Sequence, residues 1–320
     1  MLNIVLLALG FVLLVYGANG LVDGASSLAK RFNIPDIVIG LTIVALGTSS
    51  PELVVNVLAS INDRSDIVLG NIVGSNIFNI LGTLGLAAII YPLTVKTNTT
   101  WIEVPLCLLS AVVMLTMAND MFLDGAESSM VSRVEGIGLL FFFIIFLVYN
   151  LSLMRKNPEE SDVSVTYLSR PRSLAYILGG LIGLIVGGNL IVDSASEIAR
   201  GFGVSERVIA LTIVSIGTSA PELATSIAAV RKKNVDIAIG NVVGSNIFNV
   251  FLVLGVSATV NPVNVNANSN FDLLANVLAS FLLFLFIFIG RKRQLERWEG
   301  FLFLSFYLIY LLALIFWQTG

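Results

Sequence analysis

Histidine is absent from the 320 residues, cysteine occurs once, and Asp, Glu, Lys and Arg together make up only 12% of the chain. The missing soft ligands speak against a zinc or copper site. The single Cys107 excludes an internal disulfide and says nothing about compartment. The charged fraction is about half that of an ordinary soluble domain. Net charge is only −3, and no basic stripe or nucleic-acid module is visible. Met1-Leu2-Asn3 offers no basic n-region, so the first apolar segment reads as a retained span and not as a cleaved signal peptide.

Apolar residues fill the space that charge leaves: 56% of the chain is hydrophobic and the mean hydropathy is +0.92. Apolar runs of about 20 residues, long enough to cross a hydrocarbon core as helices, lie near 2–22, 37–61, 67–91, 101–118, 134–153, 174–192, 207–230, 237–260, 272–290 and 300–318. The expected fold is an all-α, polytopic membrane protein of ten spans. Continuous rather than alternating runs disfavour a transmembrane barrel. Membrane lipid is the one partner this composition demands, and no obligatory protein partner is implied.

Lys and Arg collect in cytoplasmic loops. With the loops numbered by these spans, Lys30, Arg31, Lys96, Arg155, Lys156, Arg170, Arg172, Arg231, Lys232, Lys233, Arg291, Lys292, Arg293 and Arg297 fall on one side. Arg64, Arg133, Arg200 and Arg207 fall on the other. The asymmetry predicts a cell-membrane protein with both termini extracellular.

The chain also repeats itself at an offset of 170 residues. Val38 to Leu53, VIGLTIVALGTSSPEL, matches Val208 to Leu223, VIALTIVSIGTSAPEL. Asp66 to Ile80, DIVLGNIVGSNIFNI, matches Asp236 to Val250, DIAIGNVVGSNIFNV. GANGLVDGASSLAKRF from Gly17 aligns more weakly with GGNLIVDSASEIARGF from Gly187. Five spans per copy is an odd number, so the copies cross the membrane in opposite senses, the inverted-repeat plan of secondary transporters, with sites at the repeat interface near mid-depth. The expected organisation is a first five-helix repeat over 1–153, a cytoplasmic linker over 154–173 and an inverted five-helix repeat over 174–320. The linker is too short for a regulatory domain.

By depth, only two acidic residues sit far from a span end: Glu52 and Glu222. A lone charge at the bilayer centre costs roughly 2.5–3.5 kcal/mol on insertion scales. All 18 Lys and Arg were assigned to loops or span ends, so no internal cation is available. The two carboxyls are then either a protonated, hydrogen-bonded pair or the holders of a cation that arrives from water. Intramembrane ionisable groups favour the second reading.

The neighbours support a site. Pro51 and Pro221 lack an N–H and clash with the preceding turn, so the helix must loosen near Gly47 and Gly217 and free its carbonyls. Ser49-Ser50-Pro51-Glu52 and Ser219-Ala220-Pro221-Glu222 fit S-x-x-E capping boxes, in which each glutamate merely caps a second half-helix. Even so, a helix that restarts inside the membrane is tolerated only where it lines a cavity or is buried in protein. Thr48 with Glu52 and Thr218 with Glu222 share a face at i, i+4, as do Ser75 with Asn79 and Ser245 with Asn249. Asn76 and Asn246 point elsewhere and read as inter-helix hydrogen-bonding groups. Gly70-x-x-x-Gly74 and Gly240-x-x-x-Gly244 read as close helix packing.

An oxygen cage of net charge −2 suits hard cations. Calcium wants six to eight oxygens; two bidentate glutamates supply four, and hydroxyls or carbonyls of Thr48 and Thr218 complete six. Magnesium fits less well because it keeps several waters. Two sodium ions also neutralise the site. Calcium and a full sodium load exclude one another there, and mutual exclusion with alternating access is antiport.

At these residues the sequence resembles the calcium/cation antiporter superfamily, most closely a prokaryotic sodium/calcium exchanger. GTSSPE and GTSAPE, with GNIVGSNIFN and GNVVGSNIFN, look like that family's two alpha repeats, and the likeness spans all ten predicted helices. The resemblance implies calcium held by Glu52 and Glu222 with backbone oxygens of Thr48 and Thr218. It implies sodium sites at Ala45, Thr48 and Ser75 and at Ser215, Thr218 and Ser245, with Asn79 and Asn249 nearer the middle; Ser49 and Ser219 join this candidate set. It also implies that the first and sixth helices slide across the rest. Gly10, Gly17, Gly20, Gly179, Gly180, Gly183, Gly187 and Gly188 would smooth them for sliding, although close packing explains glycine equally well. Potassium-dependent relatives carry aspartate at the position of Asn249, so potassium co-transport is disfavoured. Proton-coupled relatives lack the GTS-x-PE wording, so sodium is the preferred counter-ion.

The expected function is electrogenic export of calcium against sodium, with no enzymatic activity and no cofactor beyond the transported Ca2+ and Na+. A calcium/proton exchanger of the same fold is the alternative. A cation channel seldom needs an inverted repeat with a charge-neutralised centre, and an intramembrane enzyme lacks a nucleophile beside Glu52.

Overall fold

A computed structural model describes residues 2–95, 99–123, 125–153, 168–202, 215–266, 269–289 and 293–317. Among the described residues the regular structure is helical apart from four strands of two or three residues. In chain order the helices are α1 Leu2–Phe32, α2 Asp36–Thr48, α3 Ser50–Ile61, α4 Ser65–Ile90, α5 Val104–Met117, α6 Asp120–Leu123 and α7 Arg133–Leu153. They continue with α8 Arg170–Gly201, α9 Ser215–Thr218, α10 Ala220–Arg231, α11 Val235–Val260, α12 Ser269–Ile289 and α13 Arg297–Trp317. Seven of these are long and apolar enough to cross a membrane, and α2 with α3, bent by 47° at their junction, makes an eighth. The chain is a multi-pass membrane protein. Large apolar side chains such as Tyr16, Ile145 and Ile182 are exposed on its flanks, as lipid-facing surfaces require.

Where both ends of an expected apolar run are described, the helix ends lie within a few residues of it except at two places. Helix α1 runs to Phe32 and α8 to Gly201, well past the apolar runs ending at 22 and 192. At 1.5 Å per residue each of these helices is roughly 45 Å long, more than the hydrocarbon core, so each tilts or projects beyond it. The excess is polar, and hydropathy ends where lipid ends while the hydrogen-bonded helix continues.

Two helices form the core: 94% of the apolar window of α11 and 83% of that of α4 is buried, against 22–33% for the other long helices. Their glycines explain part of this. A Cβ on Gly240 would lie 2.8 Å from Ile37 O, and one on Gly244 would lie 2.8 Å from Ala45 Cβ, so α11 meets α2 at backbone distance. Gly70 has no described atom that close. The repeat counterpart of the α2 segment that Gly240 meets falls within 203–214, outside the described residues, as does the start of the predicted span 207–230.

Helices α1 and α8 pack along one another through glycine. A Cβ would lie 2.9 Å from Gly187 O at Gly10, 2.8 Å from Gly180 O at Gly17 and 2.8 Å from Gly10 O at Gly187. Gly183 joins this seam, Gly20 sits at ordinary distance, and Gly179 has open space. The glycines expected to smooth a sliding face therefore mostly join α1 to α8. Only Gly188 faces the broken helix, near Gly217 O and Pro221.

Short strands tie the loops into two groups. Leu93–Thr94 pairs with Gln294–Leu295, and Ser129–Val131 pairs with Val263–Val265, both antiparallel. Elsewhere Leu168 N–H donates to Ser27 Oγ, Arg31 donates to Leu168 O, and Asn234 Nδ2 donates to Ser26 Oγ and Asp36. Beside the second pair Asn261 Nδ2 donates to Asp63 and Asn266 Nδ2 to Asp66. Asp63 and Lys233, 170 positions apart, both adopt left-handed backbone just after a helix, with φ of 57° and 59°.

Candidate cation-binding site

The break predicted at the prolines lies at Ser49 and Ser219, whose backbones leave helical geometry at φ −84°, ψ 5° and φ −91°, ψ 7°. Pro51 and Pro221 occupy the first turn of the restarting helices α3 and α10, where a missing N–H is harmless. Glu52 and Glu222 follow them, each 1% exposed.

The capping-box reading fails. Neither Ser49 nor Ser219 makes a side-chain cap hydrogen bond. Ser49 N–H bonds Ala45 O instead, and Ser49 Oγ crosses to the other half to donate to Glu222 Oε1 at 3.0 Å. Ser245 Oγ donates to the same oxygen at 3.4 Å. Glu222 Oε2 and Glu52 Oε2 have no protein partner. Ser49 lies three residues before Glu52, so its bond to Glu222 brings the two breaks together. Among the described residues no Lys or Arg bonds either one, and the ion pairs Arg200–Glu197 and Lys232–Asp23 are peripheral.

The asparagines bond one another across the halves. Asn76 Nδ2 donates to Asn246 O at 3.4 Å and Asn246 Nδ2 to Asn76 O at 3.1 Å, the inter-helix bonding that their direction suggested. Asn79 Nδ2 donates to Asn246 Oδ1 at 3.1 Å and Asn249 Nδ2 to Asn76 Oδ1 at 3.0 Å. Their donors are thus committed to neighbours, and Asn79 Oδ1 and Asn249 Oδ1 remain without a protein partner. Both residues lie in π-helical turns, Phe78–Leu84 and Asn249–Leu254, a distortion common at functional sites.

The remaining candidates divide. Thr48, Ser75, Ala45 and Ser219 are buried, Ser219 Oγ is unpartnered, and Ala45 O accepts from Thr48 Oγ1 at 3.3 Å. Ser75 does not match Ser245: its Oγ donates to Asn71 Oδ1 at 3.4 Å and not to a carboxylate. Ser215 heads α9, but its side chain lies outside the described residues. Sequence reasoning gave no role to Asn71 and Asn241. Thr218 Oγ1 donates to Asn71 Oδ1 at 3.3 Å and Thr48 Oγ1 to Asn241 Oδ1 at 3.0 Å. The signal was present: both lie at the repeat offset and four residues before the chosen serines.

Chemically, the centre is a pair of buried carboxylates with hydroxyl and amide oxygens from both halves. Among the described residues no cluster of three or more His, Cys, Asp or Glu occurs. The donor set is oxygen, mostly uncharged, which suits hard cations that must also leave.

The model of the family described as sodium/calcium exchanger protein matches residues 2–152 and 172–316. The chain belongs to this family. Inner membrane protein YrbG of Escherichia coli is 37% identical over 98% of this chain and 97% of its own. Sodium/calcium exchanger MaX1 of Methanosarcina acetivorans is 31% identical over 98% and 99%. A solved structure of the sodium-calcium exchanger NCX_Mj, soaked with 10 mM Na+ and zero Ca2+, superposes with a TM-score of 0.84 at 35% identity, covering 98% of this chain and 99% of that one. Membership of the exchanger family makes this a cation/calcium antiporter, a transporter family and not an enzyme class.

Proposed function

We propose that the chain exchanges Na+ for Ca2+ by alternating access, exporting calcium as sodium enters. One observation carries this reading: Glu52 and Glu222, from different halves, are each buried with no protein cation bonded to them among the described residues, and Ser49 of one half bonds the carboxylate of the other. Buried anions so placed need a positive partner from solution. Glu52 and Glu222 hold calcium with Thr48 and Thr218, while Ala45, Ser75, Ser215, Ser245, Asn79, Asn249, Ser49 and Ser219 serve sodium or complete the shell.

The reading includes ten spans in two inverted repeats over 1–153 and 174–320, joined by 154–173, with both termini outside. The repeat offset, the matched left-handed residues and the two loop groups support it. So do the names of MaX1 and NCX_Mj, a sodium/calcium exchanger each. More than two sodium ions per calcium make each cycle carry positive charge inward, so membrane potential assists export.

Calcium flux in proteoliposomes under imposed sodium, potassium and proton gradients tests this. A sodium gradient alone should drive uptake, with a dependence on voltage. Uptake driven by a pH gradient without sodium would instead make the chain a calcium/proton exchanger, and unitary currents would make it a channel.

A further inference from the structure

We propose that Asn241, and less strongly its counterpart Asn71, is a positioning residue that fixes the threonine of the opposite half as a cation ligand. The proposal rests on the exchanger reading above, and it concerns where one proton points. A hydroxyl carries one proton and two lone pairs. Beside two carboxylates, a threonine hydroxyl left to rotate would donate to a carboxylate and turn its hydrogen toward the space a cation must fill.

Asn241 removes that freedom. Its Nδ2 donates to Glu222 O at 3.1 Å and to Ser226 Oγ at 3.1 Å. A backbone carbonyl only accepts, so the nitrogen must face it and Oδ1 must face Thr48. Thr48 Oγ1 then donates to that Oδ1 at 3.0 Å, the nearer of its two acceptors, Ala45 O lying 3.3 Å away. The lone pairs of Thr48 are left for the ion. Thr48 and Asn241 are 1% and 0% exposed, so no solvent competes.

The reciprocal contact joins Thr218 to Asn71, whose Oδ1 takes Thr218 Oγ1 at 3.3 Å and Ser75 Oγ at 3.4 Å. One carbonyl oxygen thus turns two candidate ligands into donors. The copies differ in strength. Asn241 is held by both of its amide contacts, whereas Asn71 Nδ2 has no protein partner. Loss of Asn241 should therefore do more harm than loss of Asn71, although the two occupy equivalent places in the repeat.

Two double-mutant cycles test this: Thr48→Val with Asn241→Leu, and Thr218→Val with Asn71→Leu. Half-saturating Ca2+ and Na+ are read from cation-induced thermal stabilisation of purified protein and, separately, from exchange in proteoliposomes. Each single variant should raise a half-saturating concentration roughly 3- to 10-fold, Asn241→Leu more than Asn71→Leu. Each double should be within about twofold of its worse single, because the second change removes a bond already lost. Factors that multiply in the doubles, or loss of stability with unchanged cation response, would overturn the proposal. If Asn241→Leu does not assemble, the Thr218/Asn71 cycle decides. Absence of sodium-coupled flux in the unmodified protein would count against the exchanger reading and leave the binding cycles to judge this one.

Discussion

Ser49 Oγ and Glu222 Oε1 are 3.0 Å apart, the serine in one half of the repeat and the carboxylate in the other. The serine ends one half-helix and precedes the next, yet its hydroxyl leaves its own helix uncapped and spans the centre.

Ser49→Ala separates the two roles. Loss of a hydrogen bond to a charged group is worth roughly 1.5–3 kcal/mol, so half-saturating Ca2+ in proteoliposome exchange should rise about tenfold or more. Thermal stability of the cation-free protein should fall as well, since the bond is made in the folded state. A helix cap alone would cost about 1 kcal/mol of stability with cation affinity unchanged.

Acid should inhibit exchange. A carboxylate holds a cation only when deprotonated, and protons compete for the same oxygens of Glu52 and Glu222. Half-saturating Ca2+ should therefore rise as pH falls from 7 to 5, while the maximal rate recovers at high Ca2+. Flux that is the same at both pH values would contradict a carboxylate-centred site.

The glycine seam predicts contrasting stabilities. A Cβ at Gly17 would lie 2.8 Å from Gly180 O and 2.9 Å from Leu184 N, both backbone atoms that cannot swing away. Gly17→Val should destabilise by about 1–3 kcal/mol, the usual cost of overpacking, as read by thermal unfolding in detergent. Gly179→Ala meets nothing within 4 Å and should leave the melting temperature unchanged.

Much of this was legible in one sequence because lipid simplifies the code. Apolar runs mark helices, and a charge inside one needs a reason, which singled out Glu52 and Glu222. Pro51 and Pro221 marked the breaks, since a missing N–H acts locally. The crossing of Ser49 to Glu222 was not legible: S-x-x-E is equally a capping box, and only the packing of the halves decides between them. Asn71 and Asn241 stood out by the repeat offset, but their partners in the opposite half were hidden for the same reason. Helical spacing gives the face on which a side chain lies, not what lies opposite. The seam glycines likewise gave a smooth face without saying that α1 and α8 meet through it.

The central claim is that a cation from solution sits between Glu52 and Glu222. Calcium uptake into sodium-loaded proteoliposomes by the unmodified chain and by Glu52→Gln tests it most directly. The account predicts robust uptake by the first and loss of calcium transport in the second, with the variant still folded by its thermal transition. A Glu52→Gln protein that transports calcium normally would contradict it.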